Sequence, residues 1–318
     1  MRIQVSNNFG HLGMSTPQFG TDGHLLRCDW PADQIEGMIC WWEFTEEFLA
    51  FRGPRVFYCC EPSFYFNGFG PPKRLLRRRL ASLRQDEFCW HYHPDTAMRV
   101  VHHTDLYPGV PHLGDEPRKR QAVAVLANLG HPLLRNPGRQ ARLNFILESD
   151  CDILGREADW HNFRRHFFSR PGPPPAYQGG CKEKVDAISK YHANICLENS
   201  SEPLYFTEKF LHAVQAGCVP IYHPHPSVRE TFLYGAIWVD PADHGWNPRA
   251  TVDVALNSDR KHVAATNYRW RENHPRVIKT DTASVYSRMA EILDLKSKGK
   301  IALPKRASRG RLKDEYPS

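Results

Sequence analysis

Short runs of bulky apolar residues alternate with amphipathic and polar stretches along the chain, and the period of each run decides its reading. Residues 2–6 (RIQVS) alternate as an edge or first strand, and the polar, glycine-bearing stretch from Asn7 to Gly23 reads as a long loop. Ile35 to Trp42 and Arg55 to Cys60 read as the next strands. The second of these (RVFYCC) is continuous and bulky, as a parallel strand buried on both faces should be. Lys73 to Arg84 has helical propensity but carries five arginines, so one face must be wet. Glu87 to His93 is a further short strand, and the Pro- and Gly-rich stretch from Tyr107 to Lys119 is the best linker.

Beyond the linker the pattern becomes regular. Gln121–Leu129, Cys151–Leu154, Ala193–Leu197, Cys218–Tyr222 and Ala236–Val239 read as strands. Arg139–Glu148, Cys181–Tyr191, Phe206–Ala216, Val252–Ala264 and Ser284–Asp294 read as helices, with Thr207 capping the third or in its first turn and Gly217 stopping it. Strand–helix–strand repeats through residues 121–239 predict a parallel sheet with helices on both faces, an α/β class.

Length and composition change this picture in two ways. A chain of 318 residues with 41% apolar and 24% charged residues suits two domains and excludes disorder, collagen and coiled coil. The net charge of +7 favours an anionic partner without naming one. The start, MRIQVSNNFG, is not read as a signal peptide, and no run approaches a membrane span. Nine cysteines without a CxxC pair read as small buried hydrophobes in a reducing compartment, not as a disulfide scaffold or zinc site. Residues 296–313 carry eight basic and no acidic side chains, read either as a solvated tail or as an arm for an anionic surface.

The densest polar segment is ICLENSSEPLYFTEKF, residues 195–210, laid out as strand, loop and helix. In an open α/β sheet, ligands bind outside the carboxyl ends of the strands. Thr207, Glu208 and Lys209 open the helix, where free amides and the dipole attract an anion. Glu208 is placed to accept from a pair of sugar hydroxyls, and Asn199 and Tyr205 offer polar and aromatic contacts. Together they suit a nucleoside diphosphate; a plain capped helix with surface charges is the bland alternative.

The string ENSSEPLYFTEKFLHAVQAGCVPIY resembles the donor-binding signature of the family-10 glycosyltransferases, the α-1,3/4-fucosyltransferases. KYHANICL before it and PSVRETFLYGAIWVDPADHG after it resemble the flanking segments, so the likeness spans roughly residues 121–245. PRVFYCCEPSFYFN resembles, more thinly, the segment that bears the family's proposed general base. The resemblance implies a GT-B type fold of two Rossmann-like domains facing a cleft. Residues 1–115 would form the acceptor-side domain and 120–265 the donor-binding domain. Residues 266–295 would form a C-terminal helix packing back on the first domain, and 296–318 a basic tail. It implies Glu61 as general base; by residue type, Glu43 and Glu46, acidic residues after another strand, are runners-up, with His24 and His93 behind them. It further implies Arg142 on the diphosphate (Arg135 and Arg139 being open by spacing), Lys209 on phosphate, Glu208 on the ribose, and Asn199 and Tyr205 lining the pocket. Glu43, Tyr65, Phe66 and His93 fall on the acceptor side. Pro62 and the HPHPS stretch after Tyr222 depart from the family pattern, in loops that would place the acceptor and select the donor sugar.

The implied activity is an inverting transfer of fucose from GDP-fucose to a hydroxyl of a glycan or glycolipid acceptor, in α-1,3/4 linkage. Asp150 and Asp152 form no DxD-like pair at a credible strand end, so no metal ligands and no obligatory cofactor are expected. A cytoplasmic enzyme is expected, touching an anionic membrane, if at all, through the basic tail. Two alternatives stand beside this: a GT-B transferase using another nucleotide sugar, and a nucleic-acid binder. The binder would rest on the net charge, the tail and the aromatics Tyr65, Phe66 and Phe69 ahead of the basic run from Lys73, but no RNP, KH or finger motif is present. No nucleic-acid partner is therefore expected. An inert descendant of the fold is opposed by Glu61, Arg142, Glu208 and Lys209 all being in place.

Overall fold

The computed structural model describes residues 1–6, 19–21, 24–27, 30–41, 45–59, 88–90, 117–126, 137–156, 174–201, 205–274, 289–291 and 293–294. The chain divides into two compact units. One comprises Met1–Leu106 with Lys279–Leu312, the other Tyr107–Ile278 with Lys313–Ser318.

The first unit holds β1 (Arg2–Ser6), β2 (Phe19–Thr21), β3 (His24–Arg27), β4 (Gly37–Trp41), α1 (Glu46–Ala50), β5 (Arg55–Cys59) and β6 (Phe88–Trp90). Its sheet runs β2-β3-β1-β4-β5-β6, parallel except where β2 pairs antiparallel with β3. β2, which pairs with β3, occupies ground expected to be loop. It is too short for alternation to declare it, and the two glycines in FGTDG mask what pattern there is. Ile3, Val5, Met38, Ile39 and Val56 are buried along the central strands. Late in the chain, Met289, Ala290 and Leu293 are also buried, and a Cβ placed on Gly37 would lie 3.5 Å from Leu293 Cδ1. The C-terminal return thus seats against β4.

The second unit holds β7 (Lys119–Leu126), α2 (Pro137–Glu148), β8 (Cys151–Gly155), α3 (Lys184–Ile188), β9 (Tyr191–Ile195), α4 (Glu208–Gln215), β10 (Val219–Ile221), α5 (Pro226–Thr231), α6 (Pro248–Asn257) and α7 (Arg260–Asn273). Its four strands are all parallel in the order β10-β9-β7-β8, with single bridges adding Val239 beside β10 and Tyr177 beside β8. All five residues of β8 are buried, Asp152 included. Ala122, Ala124 and Leu126 pack with residues of α2 and α6 on one face, while Val123 packs with α3 on the other. Numbered within the unit, the order is 2-1-3-4, so the connections reverse direction between β7 and β9. The second unit is therefore a Rossmann-like, doubly wound α/β fold, and the first is a Rossmann-like, mostly parallel sheet.

The expected helix over Val252–Ala264 is two helices. Asn247 Oδ1 accepts from Ala250 N at 3.0 Å to start α6, and Asp259 Oδ1 accepts from His262 N at 3.1 Å to start α7. The apolar periodicity runs through the joint, but the cap at Asp259 breaks the backbone there. The helix expected over Cys181–Tyr191 shortens to α3, because Tyr191 already belongs to β9.

Candidate functional site

The crevice outside the carboxyl ends of β7 and β9 is where this topology offers a ligand site, and five of the sequence-selected residues converge there. β9 ends at Ile195, and the chain passes through Glu198 and Asn199 before α4 begins at Glu208. Arg142, from the middle of α2, spans the reversal point. Its Nη1 donates to Asn199 Oδ1 at 2.7 Å, beyond β9, and its Nη2 donates to Val125 O at 3.3 Å, at the end of β7. Arg139 lies one turn earlier on the same helix.

Glu198 organises the opposite wall. It is 1% exposed. Its carboxylate accepts from Thr207 N at 2.8 Å, from the Thr207 hydroxyl at 2.7 Å, from Lys209 Nζ at 2.9 Å and from the Tyr222 hydroxyl at 3.2 Å. Lys209 Nζ also donates to Thr207 Oγ1 at 2.8 Å and lies 3.8 Å from Glu208 Oε1. Burial alone would lower the Lys209 pKa, but the charges of Glu198 and Glu208 outweigh it and hold the value above the usual 10.5. The ammonium therefore stays charged and pinned, with 14% of its side chain exposed at the edge. Thr207 takes the N-cap position expected of it but makes no side-chain cap bond, its hydroxyl being committed to Glu198. The helix ends as expected, with Gly217 at φ 64° and its N–H on Val214 O at 3.0 Å.

An aromatic cluster sets this wall in place. Phe206 stacks on Phe232 with centroids 5.2 Å apart, and Phe210 meets Tyr222 at 5.1 Å and Trp270 at 5.5 Å. Tyr222 is thus held on its ring while its hydroxyl reaches Glu198. Tyr205 is itself buried, at 3% exposure. A second polar group follows β10. His223 donates from Nδ1 to Asp240 Oδ1 at 2.9 Å, Asp240 also receives Arg229, and the His223 ring meets Trp246 edge-on at 4.7 Å. Burial opposes ionisation of Asp240, yet His223, the Ala242 amide and Arg229 together hold its carboxyl below the usual 3.8.

Sequence reasoning missed Glu198, Tyr222, His223, Asp240 and Lys184. Glu198 stood inside the quoted segment, directly after a strand, and that position was its signal. Lys184 opens α3, and its ammonium interacts electrostatically with Glu208, Lys209 and Arg142. The remaining candidates fall elsewhere. Glu46 lies in the first turn of α1, exposed to solvent, and His24 lies in β3 opposite Thr21. Asp150 pairs with Arg249 at 3.4 Å and Asp152 pairs with Lys119, the latter at the start of β8 and so at the far edge of the sheet. Glu61, Glu43, Tyr65, Phe66, His93, Arg135 and the basic tail lie outside the described residues. Cys151, Cys181, Cys196 and Cys218 form no disulfide. Burial pushes Cys151 up to about 11 and Cys218 up to about 12, which makes both poor nucleophiles. Among the described residues no helix is long and apolar enough to cross a membrane.

No family model matches the chain. Among solved structures, it is similar to an α1,3-fucosyltransferase with GDP-fucose, at 16% identity over 92% of this chain and 90% of that one, with a TM-score of 0.44. It is similar also to the spinosyn forosaminyltransferase SpnP (12% identity, 82% and 77% covered, TM-score 0.40). A third is a UDP-forming α,α-trehalose-phosphate synthase from Burkholderia vietnamiensis (12%, 82% and 74%, 0.40). At these scores the superpositions decide neither fold nor chemistry, which rest on the strand order and side chains above.

Proposed function

We propose that the chain is a glycosyltransferase of the two-domain GT-B type that uses a nucleotide-sugar donor. One observation carries the reading: at the reversal point of a doubly wound sheet, Arg142 and Lys209 are fixed from two sides by Asn199 and Glu198. A pair of pre-oriented cations suits the diphosphate of a leaving nucleotide, whose charge grows in the transition state. Glu208 provides the acceptor for the ribose, and Asn199 lines the pocket while holding Arg142. The resemblance of residues 195–222 to the fucosyltransferase signature supports GDP-fucose as donor, with inversion at the anomeric carbon and a glycan or glycolipid hydroxyl as acceptor. In this reading Glu61 takes the acceptor proton, and no metal is required.

A second reading keeps the mechanism and changes the sugar. It is favoured by the pair of His223 and Asp240, which stands after β10 where the fucosyltransferase pattern carries a glycine-bearing stretch.

The test is a turnover screen of GDP- and UDP-sugars against GlcNAc-, galactose- and lipid-linked acceptors, read by mass spectrometry. Transfer from GDP-fucose supports the first reading, and transfer from another donor alone supports the second. If no nucleotide sugar is bound or consumed, both fail. Glu61→Gln is expected to bind nucleotide normally and lose transfer by several orders of magnitude; unchanged turnover would move the base to another residue.

A further inference from the structure

Three helices bring basic side chains to the same edge of the second sheet. Arg142 comes from α2 on one face, and Lys209 from α4 with Lys184 from α3 on the other. α3 leads into β9, so its first residue stands at the edge where β9 ends. Val185 and Ile188 anchor the helix against Val123, Leu154, Ala216 and Cys218, which fixes where Lys184 projects from.

The three cations differ in how they are occupied. Arg142 is engaged by Asn199 and Val125, and Lys209 by Glu198 and Thr207. The Lys184 ammonium makes no hydrogen bond or ion pair with any described residue. It is half-buried and feels attraction from Glu208 and Cys196 and repulsion from Lys209 and Arg142. Burial first, then the two cations, push its pKa below the usual 10.5 against the pull of Glu208. An ammonium so placed, desolvated and facing two like charges, is relieved by an anion lying among all three.

We propose that Lys184 is a third cation of the donor site, binding the diphosphate of the nucleotide sugar together with Arg142 and Lys209. The proposal rests on the nucleotide-sugar reading of this site. In the transfer, the acceptor oxygen forms a bond to the anomeric carbon and yields its proton to the base. The bond from that carbon to the phosphate oxygen breaks, its electron pair stays on the diphosphate, and Lys184 meets that added charge.

Titration calorimetry on the full chain tests this, comparing wild type, Lys184→Met and Lys184→Arg with GDP, GMP and guanosine, and with UDP in parallel. Lys184→Met is expected to weaken GDP by about tenfold or more, GMP by less and guanosine not at all, since only the phosphates meet the ammonium. Lys184→Arg is expected to stay within about threefold of wild type, and the gap between wild type and Lys184→Met to narrow with added salt. Equal GDP affinity in wild type and Lys184→Met overturns the proposal while leaving the donor reading intact. Parallel loss of GDP and guanosine overturns it in favour of a structural role. A wild type that binds neither GDP nor UDP overturns the donor reading and this proposal with it. Should circular dichroism show Lys184→Met unfolded, Lys184→Gln takes its place.

Discussion

Glu198 is a carboxylate at 1% exposure whose partners are the Thr207 amide and hydroxyl, the Lys209 ammonium and the Tyr222 hydroxyl. Removing the ammonium leaves a buried charge short of its strongest partner. Lys209→Met is therefore expected to lower unfolding stability by about 2–4 kcal/mol in urea titrations and to weaken diphosphate binding. Glu198→Gln keeps the shape and should cost less stability while loosening Lys209. The pH sign follows from the raised Lys209 value. Its contribution is complete below 10.5 and is lost as pH rises through the higher folded-state value. An alkaline limb in stability should thus flatten in Lys209→Met. Asn199, Glu208 and Lys209 were legible from their types and their place between a strand and a helix, whereas Arg142 came only from the family resemblance, which left Arg135 and Arg139 open. Lys184 was not legible, because a helix read as starting at Cys181 puts it a turn too deep to face the edge.

At the level of elements, the strand–helix alternation of residues 119–221 could be read directly, since each parallel strand is buried on both faces and each helix has one apolar stripe. What escaped was local hydrogen bonding. The joint between α6 and α7 is made by caps, and Asp259→Ala is expected to cost about 1 kcal/mol by chemical denaturation. Close approach is equally invisible to periodicity. A Cβ on Gly155 would fall 2.4 Å from Leu126 O, where β7 and β8 end side by side, so Gly155→Ala must displace backbone. A loss of about 1–3 kcal/mol is expected, with the site beyond β7 disturbed. The turn after β10 should be the acid-sensitive element. Asp240 titrates below 3.8, so its contribution is present above that value and is lost as pH falls through the folded-state value. Asp240→Asn should remove that part of the acid limb.

Across the whole molecule, two units were anticipated from length and from the Pro- and Gly-rich stretch near residue 107, and their Rossmann-like character from the family resemblance. The charge surplus pointed to an anion, and the proposed donor site would use only a few of the 42 basic residues. If nucleotide binds at the β7–β9 reversal, GDP should slow amide exchange at the start of α4 and the end of β9. It should leave β1, β4 and β5 unchanged, as exchange mass spectrometry would record. Saturating nucleotide at about 100 times Kd should stabilise the second unit by about 2.7 kcal/mol.

The seating of Leu293 against Gly37 has a consequence for synthesis. The second unit is formed almost wholly from one unbroken stretch, Tyr107–Ile278, whereas the first needs a piece of chain that the ribosome delivers after it. At about 5–20 residues per second, the strands of the first unit wait roughly 10–40 s for that piece. The order of birth is thus the reverse of the order of completion. The half emerging first stays exposed longest, and demand for chaperones should fall on β1, β4 and β5 rather than on the half that holds the candidate site.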